Sequence, residues 1–131
     1  MPTFKTRLFS KWARKAGLRD IALHAAADEV RRGAFEADLG GGVIKKRMAL
    51  AGRGKSSGAR TIIAYRRGTS VFFVYGFAKN ERDSIDSTEL GAFRLLSENL
   101  TRLSAAQLAA ACLAGELIEV QDNEQNSQNP A

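Results

Sequence analysis

The sequence has little of the residue types on which many catalytic and metal sites are built. Its 131 residues include one cysteine and one histidine, so an internal disulfide, a Ser-His-Asp triad and a Cys/His zinc site are hard to build from this chain. Residues 39–80 contain no Asp or Glu, which disfavours two-metal phosphodiester chemistry because that chemistry needs clustered carboxylates. We therefore expect neither a metal nor a cofactor.

Long apolar runs are also missing. The best stretch, Ser104 to Gly115, is alanine-rich and well short of the roughly 20 residues that span a bilayer. The first residues show no apolar core or cleavage signature of a secretory signal. Cys112 stands among Ala and Leu, which indicates a small buried residue in a helix. We expect a cytoplasmic protein with no membrane partner.

Charge is plentiful but unevenly distributed. The chain has 20 Lys and Arg against 14 Asp and Glu, a net charge of +6. Residues 1–82 carry +12 and residues 83–131 carry −6, which predicts an acidic partner for the basic part. The length fits one domain over residues 1–120. The tail, residues 121–131, is almost entirely polar, and we expect it to be disordered.

Apolar periodicity predicts the order of the elements. Alternation over Phe4 to Phe9 indicates a strand, and Ser10 is the expected cap of a following helix. The helical pattern breaks at Gly17 and resumes from Leu18 to about Arg32, which predicts two helices or one helix with a break. Three β-rich runs follow and predict an antiparallel meander with a short turn before its last strand: Val43 to Leu50, Ala59 to Arg66, and Val71 to Ala78.

The last part of the chain changes to helical spacing. Asp86 with Glu89, and Ser104 with Gln107, have the spacing of capping boxes and predict two C-terminal helices. Residues 117–120 are the candidate for a short final strand. The expected fold class is α+β, with an N-terminal strand and helical hairpin, an antiparallel meander and C-terminal helices.

The strongest chemical signal is a set of basic residues in and around the meander. Strand alternation places Lys45 and Arg47 on one face and Lys46 on the other, while Arg60 shares a face with Ile62. The set is either a solvated basic face or a surface that binds nucleic acid, and the nearby aromatics either stack on bases or pack in the core. Gly54-Lys55-Ser56 resembles the end of a P-loop, but a strand follows it where that motif needs a helix.

Such a surface has the residue types for RNA cleavage without a metal. The reaction needs a base for the 2′-hydroxyl proton, a cation for the pentavalent phosphorus and an acid for the leaving 5′-oxygen. Repulsion within a group of cations lowers the pKa of a lysine towards that of a usable base. Arginine stays charged and its fork binds two phosphate oxygens.

Three segments carry a resemblance to a known family: residues 40–49 (GGGVIKKRMA), 52–63 (GRGKSSGARTII) and 74–82 (VYGFAKNER). Over roughly residues 4–120 the chain resembles the RelE/HigB-type toxins of bacterial type II toxin–antitoxin modules, in the RelE/ParE superfamily. The resemblance implies a microbial-ribonuclease-like fold and a toxin that cuts mRNA on the ribosome, inhibiting translation. It also implies a cognate antitoxin, often of the helix-turn-helix type, as partner.

The resemblance further implies roles for particular residues. Arg60 matches the arginine that binds the scissile phosphate, and Lys79 matches a basic residue at the end of the last meander strand. The base and a further phosphate ligand correspond to Lys45, Lys46 or Arg47. Arg53 or Lys55, in the longer loop of this chain, are candidates for one of these roles.

Two positions depart from the family pattern. Asn80 stands where the RelE type has its acid arginine, and Arg82 is the candidate substitute. Asp86 stands where the RelE type has a tyrosine that stacks on a base, which leaves Tyr65 or Tyr75. The predicted catalytic set is Lys46, Arg60, Lys79 and Arg82, and the predicted RNA-binding set is Lys45, Arg47, Arg53, Lys55, Tyr65 and Tyr75.

Two alternative functions remain open at this point. One is a ParE-like inhibitor of topoisomerase with the same fold. The other is a non-catalytic module that binds RNA or the ribosome, which Asn80 and Asp86 favour.

Overall fold

A mixed sheet of six strands carries two helices on each of its faces. The computed structural model describes residues 1–50 and 58–122, and the fold is α+β as predicted. In chain order the elements are β1 (Thr3–Thr6), α1 (Arg7–Ala16), α2 (Asp20–Arg31), β2 (Ala37–Gly40), β3 (Val43–Met48), β4 (Ala59–Ala64), β5 (Val71–Ala78), α3 (Ser87–Thr101), α4 (Ala105–Leu113) and β6 (Leu117–Glu119).

The N-terminal strand is shorter than its alternation suggested. Thr6 caps α1, since its side chain accepts a hydrogen bond from the Phe9 amide at 3.1 Å, and the helix begins at Arg7. The prediction of a strand up to Phe9 with Ser10 as the cap was therefore wrong. Phe9 and Ser10 are buried on the inner side of α1. The helix ends at Gly17, whose φ of 77° favours glycine, and α2 follows separately.

The sheet order is β2-β3-β4-β5-β1-β6. Strands β3, β4 and β5 form the predicted antiparallel meander. Strand β1 pairs in parallel with the first half of β5, from Thr3 opposite Val71 to Lys5 opposite Phe73. Strand β6 closes that edge antiparallel to β1. Strand β2, which the sequence analysis did not predict, pairs with β3 and forms the other edge.

Each face of the sheet has its own apolar core. Helices α1 and α2 cover one face, where Phe9, Leu23 and Val30 pack on Ile63 and Phe73. Helix α3, with α4 beside it, covers the other face. Because side chains alternate along a strand, neighbouring residues of a meander strand generally point to opposite faces of the sheet. The faces are named below by these helices, as the α1 face and the α3 face.

Both predicted C-terminal helices begin at capping boxes. Asp86 accepts from the Glu89 amide and the Glu89 side chain accepts from the Asp86 amide, and Ser104 and Gln107 repeat the arrangement. Cys112 is half-buried in α4, where desolvation and the charge of Glu119 raise the pKa of its thiol. No helix among the described residues is long and apolar enough to cross a membrane.

Candidate functional site

Three cations on the α3 face converge on one carboxylate. Arg47 of β3 lies directly opposite Arg60 of β4, and Lys45 lies two residues before Arg47. Glu36, just before β2, reaches all three: its carboxylate is 2.8 Å from Arg60 Nε, 3.2 Å from Arg47 Nε and 3.6 Å from Lys45 Nζ. We call Lys45, Arg47 and Arg60 the basic cluster.

The members of the basic cluster differ in how far solvent reaches them. The side chain of Arg60 is 3% exposed, that of Lys45 12% and that of Arg47 51%. Lys45 also donates to the Asp83 carbonyl and to Ser84 Oγ, at 3.3 Å each. Arg47 is therefore the cation that an incoming anion meets first.

Glu36 is held in its charged form. Partial burial desolvates its carboxylate and by itself raises the pKa, but the charges of Lys45, Arg60 and Arg47 outweigh that effect, so the pKa of Glu36 lies below its usual value. Its carboxylate pairs with three positive charges. The local excess of positive charge suits the cluster to an anionic ligand.

An aromatic surface lies beside the basic cluster on the same face. Phe77 of β5 is opposite Arg60, and Tyr75 is opposite Ile62. The Arg82 guanidinium carbon lies 5.4 Å from the Phe77 ring centre and 5.9 Å from that of Tyr75, within the range of cation–π contact. Phe77 is buried and Tyr75 half-buried, so only Tyr75 presents an edge to solvent.

Arg82 is fixed in place by three partners, one of which is the Ser84 carbonyl, which accepts from Arg82 Nε at 2.9 Å. Arg82 also donates to Glu89 from both terminal nitrogens and to Tyr75 Oη at 3.1 Å. The hydrogen bonds to Glu89 raise the pKa of Arg82 above its ordinary value, and those from Arg82 and the Asp86 amide lower the pKa of Glu89. A guanidinium held in this way stays charged and is a poor proton donor.

Lys79 lies at the same end of the meander as Arg60. Its amide donates to the Gly58 carbonyl at 2.9 Å, one residue before β4 begins. Its side chain is 38% exposed, with Nζ 3.9 Å from Asp83 Oδ1. Lys79 is therefore a second accessible cation near the basic cluster.

Two predicted residues lie on the other side of the sheet. Lys46 is 7% exposed on the α1 face, where Nζ is 2.8 Å from Glu29 Oε1 and donates to the Ala34 carbonyl at 2.7 Å. Tyr65 packs against the core of the α1 face. The structure thus brings together Lys45, Arg47, Arg60, Tyr75, Lys79 and Arg82 and separates Lys46 and Tyr65 from them. Arg53 and Lys55 lie outside the described residues.

The comparison with protein families decides what kind of protein carries this surface. The model of the RelE toxin of the RelE/RelB toxin–antitoxin system matches residues 1–120. The chain belongs to the RelE toxin family. It is thus a toxin of a toxin–antitoxin module, in a family whose toxins pair with an antitoxin and are generally endoribonucleases. Comparison with curated proteins and with solved structures finds no match.

The sequence analysis did not include the acidic residues of this candidate site. Glu36 and Glu89 lie outside the carboxylate-free stretch 39–80 and reach the meander through β2 and α3. Polar and apolar residues alternate from Phe35 to Leu39, which is the signal that would have predicted β2 and placed Glu36 beside β3. Among the described residues, no three His, Cys, Asp or Glu side chains are grouped to hold a metal ion.

Proposed function

We propose that this RelE toxin is a ribosome-dependent endoribonuclease that cuts mRNA without a metal and so inhibits translation. The observation that carries the proposal is the convergence of the basic cluster on the single carboxylate of Glu36. A position where three cations hold one anion suits a phosphodiester group. The fork of Arg47 and that of Arg60 match the non-bridging oxygens of a phosphate.

The proposed reaction is attack by the 2′-oxygen of a nucleotide on its own 3′-phosphorus. The 2′-hydroxyl loses its proton to a base, the bond from phosphorus to the 5′-oxygen of the next nucleotide breaks, and that oxygen takes a proton from an acid. Arg47 and Arg60 stabilise the extra negative charge of the pentavalent phosphorus, because they stay charged throughout. The products are a 2′,3′-cyclic phosphate and a free 5′-hydroxyl.

The two proton transfers fall to lysines on the α3 face. We assign them to Lys45 and Lys79, which lie on either side of the opposed pair Arg47 and Arg60. Lys46, which the sequence analysis included in the catalytic set as one of three candidates for base or phosphate ligand, lies on the α1 face. Arg82, the sequence-based candidate for the acid, instead supplies a fixed charge and orients Tyr75 beneath a base of the RNA.

Induced expression followed by primer extension on total mRNA tests the proposal. We expect cuts within translated frames for the wild type. Arg47→Ala should reduce them by about 10- to 100-fold, since it removes one charged contact to the transition state. Arg47 is half-exposed, so its loss leaves the core intact. Arg14→Ala is the matched control, because Arg14 is exposed on α1 at the other face. Growth arrest with intact mRNA would contradict the proposal and point to a topoisomerase.

A non-catalytic binding module is the second candidate. It is favoured by Asn80 in place of an acid and by the double hydrogen bond that ties Arg82 to Glu89. This candidate predicts that purified protein binds ribosomes, that Arg47→Ala weakens the binding, and that no mRNA is cut.

We also propose that the antitoxin of this module is a helix-turn-helix protein that lays an acidic segment over the basic cluster. The excess positive charge of the cluster supports an acidic partner. Co-expression with the product of the adjacent gene should yield a complex, and Arg47→Ala should release the antitoxin at lower salt. A complex equally salt-resistant with and without Arg47 would place the antitoxin elsewhere.

A further inference from the structure

A cavity lies beside β5, at the part of that strand where β1 no longer pairs with it. Strand β1 accompanies β5 only as far as Phe73, and helix α1 then replaces it beside residues 74–78. This leaves a slot of about 280 Å³ between α1 and the segment after β5. Its principal lining residues are Leu8, Trp12, Tyr75, Phe77, Glu81 and Arg82.

Most residues that line the slot are apolar or aromatic. A Cβ at Gly76 would lie 2.2 Å from Trp12 Cζ3, so the indole ring lies directly against the backbone of β5 and glycine is required there. Leu8 is 68% exposed at the mouth. The lining also includes the planar guanidinium of Arg82, which Glu89 and Tyr75 hold in place. Aromatic rings and guanidinium planes are the groups on which nucleobases stack.

The polar lining of the slot includes Glu81, an exposed residue. The Glu81 carboxylate makes no hydrogen bond or ion pair with any residue that the structure describes, although Arg82 and Lys79 beside it are both paired. A carboxylate accepts hydrogen bonds and offers none. It therefore suits a ligand edge that carries an amino group.

The position of the slot connects it to the proposed substrate. Phe77 lines the slot and lies opposite Arg60 in the β4–β5 register, so the slot begins about one strand spacing from the basic cluster. An RNA whose phosphate lies on Arg47 and Arg60 can place a neighbouring base there. An apolar pocket with a few convergent polar groups is the usual form of such a site.

We propose that the slot is a subsite for one nucleobase of the RNA, and that Glu81 selects a base with an amino group and rejects uracil. The proposal rests on the proposed function for its substrate. Cytosine offers its N4 amino group to Glu81, whereas uracil has a carbonyl oxygen at the same position, which the carboxylate repels. A well-placed contact of this kind discriminates between bases by about 5- to 100-fold.

Trp12 is the only tryptophan of the chain, so its fluorescence reports directly on the slot. Titration of the full chain with CMP and with UMP compares two ligands of nearly equal size, with free tryptophan amide as the correction for absorbed light. We expect CMP to quench Trp12 and to bind at least 5-fold more tightly than UMP. Glu81→Gln should remove that ratio. Glu98→Gln, on α3 and paired with Arg102, should keep it.

Arg47→Ala separates the slot from the basic cluster in the same titration. It should weaken the binding of both ligands, because both carry a phosphate, and leave the ratio of their affinities unchanged. Equal quenching by CMP and UMP, no quenching by either, or a ratio that survives Glu81→Gln would each overturn the base subsite. If mRNA is cut while the slot shows no selectivity, the base subsite fails and the proposed nuclease stands. If the slot is selective but no mRNA is cut, the base subsite stands and the proposed nuclease fails.

Discussion

At the scale of single residues, Glu36 determines how the basic cluster is held together. Arg60 is almost fully buried, and a buried guanidinium without its carboxylate is costly. Glu36→Gln should lower the free energy of unfolding at pH 7 by about 1–3 kcal/mol, less than for a fully buried pair because the carboxylate is 22% exposed. Urea denaturation measures this loss.

The pH dependence of the same variant has a definite sign. The pKa of Glu36 is depressed in the folded protein, so its contribution is complete above its unfolded pKa of about 4.3 and is lost as pH falls through the folded value. The difference in free energy of unfolding between wild type and Glu36→Gln should therefore shrink as the pH is lowered from about 7 to about 3. Glu89→Gln, which removes the other carboxylate with a depressed pKa, is the comparison. A gap that stays constant with pH would show that Glu36 acts through packing alone.

Substitution by alanine should have opposite effects on stability at Gly76 and at Gly91. Alanine at Gly76 drives Trp12 off the sheet and should cost about 1–3 kcal/mol, with a shift in tryptophan emission. Alanine at Gly91, an exposed position within α3 with no atom in the way, should stabilise by up to about 1 kcal/mol. Thermal unfolding followed by fluorescence compares them, and an unperturbed Gly76→Ala would remove Trp12 as a wall of the slot.

How much of the site the sequence could predict depends on distance along the chain. Alternation within β3 correctly separates Lys45 and Arg47 from Lys46, because neighbouring side chains of one strand must point to opposite faces. The partner of these cations, Glu36, comes from another strand through a pairing that no local pattern fixes. The burial of the Arg60 side chain likewise depends on contacts between elements that are distant along the chain.

At the scale of elements, local sequence patterns predicted helix starts most reliably where a side chain caps the first backbone amides of the helix. Asp86 and Ser104 were predicted as caps and are caps, since a capping box fixes its own residues at a set spacing. The first strand was overextended because alternation over six residues also fits a strand followed by one turn of helix. Only the Thr6 cap distinguishes the two.

Asp86→Ala tests whether α3 depends on its cap. Loss of the hydrogen bond to the Glu89 amide should reduce the free energy of unfolding by about 1 kcal/mol. The same change loosens Glu89, which also holds Arg82, so Tyr75 and Arg82 should become more mobile. Ser87→Ala, one residue on and exposed, is the control and should have little effect. Equal stabilities of the two variants would assign the start of α3 to packing instead.

At the scale of the whole molecule, the basic and acidic parts of the chain largely keep their charges apart. Among the described residues, ion pairs between the part up to residue 82 and later residues join Lys79 to Asp83 and Arg82 to Glu89, close to the boundary. Both of these pairs lie outside the basic cluster. At the cluster, Glu36 pairs with three cations, and this local excess of positive charge suits an anionic partner.

The salt dependence of RNA binding measures that excess. Each phosphate contact with single-stranded RNA releases a counterion and steepens the plot of log affinity against log salt by about 0.7. If Arg47 contacts a phosphate, Arg47→Ala should flatten the slope by about that amount, as judged by fluorescence anisotropy of a short labelled RNA between about 50 and 200 mM salt. Arg14→Ala, which removes the same charge from the α1 face, should leave the slope nearly unchanged. Equal flattening by both variants would mean that RNA responds to the net charge of the molecule and that no phosphate is bound at Arg47.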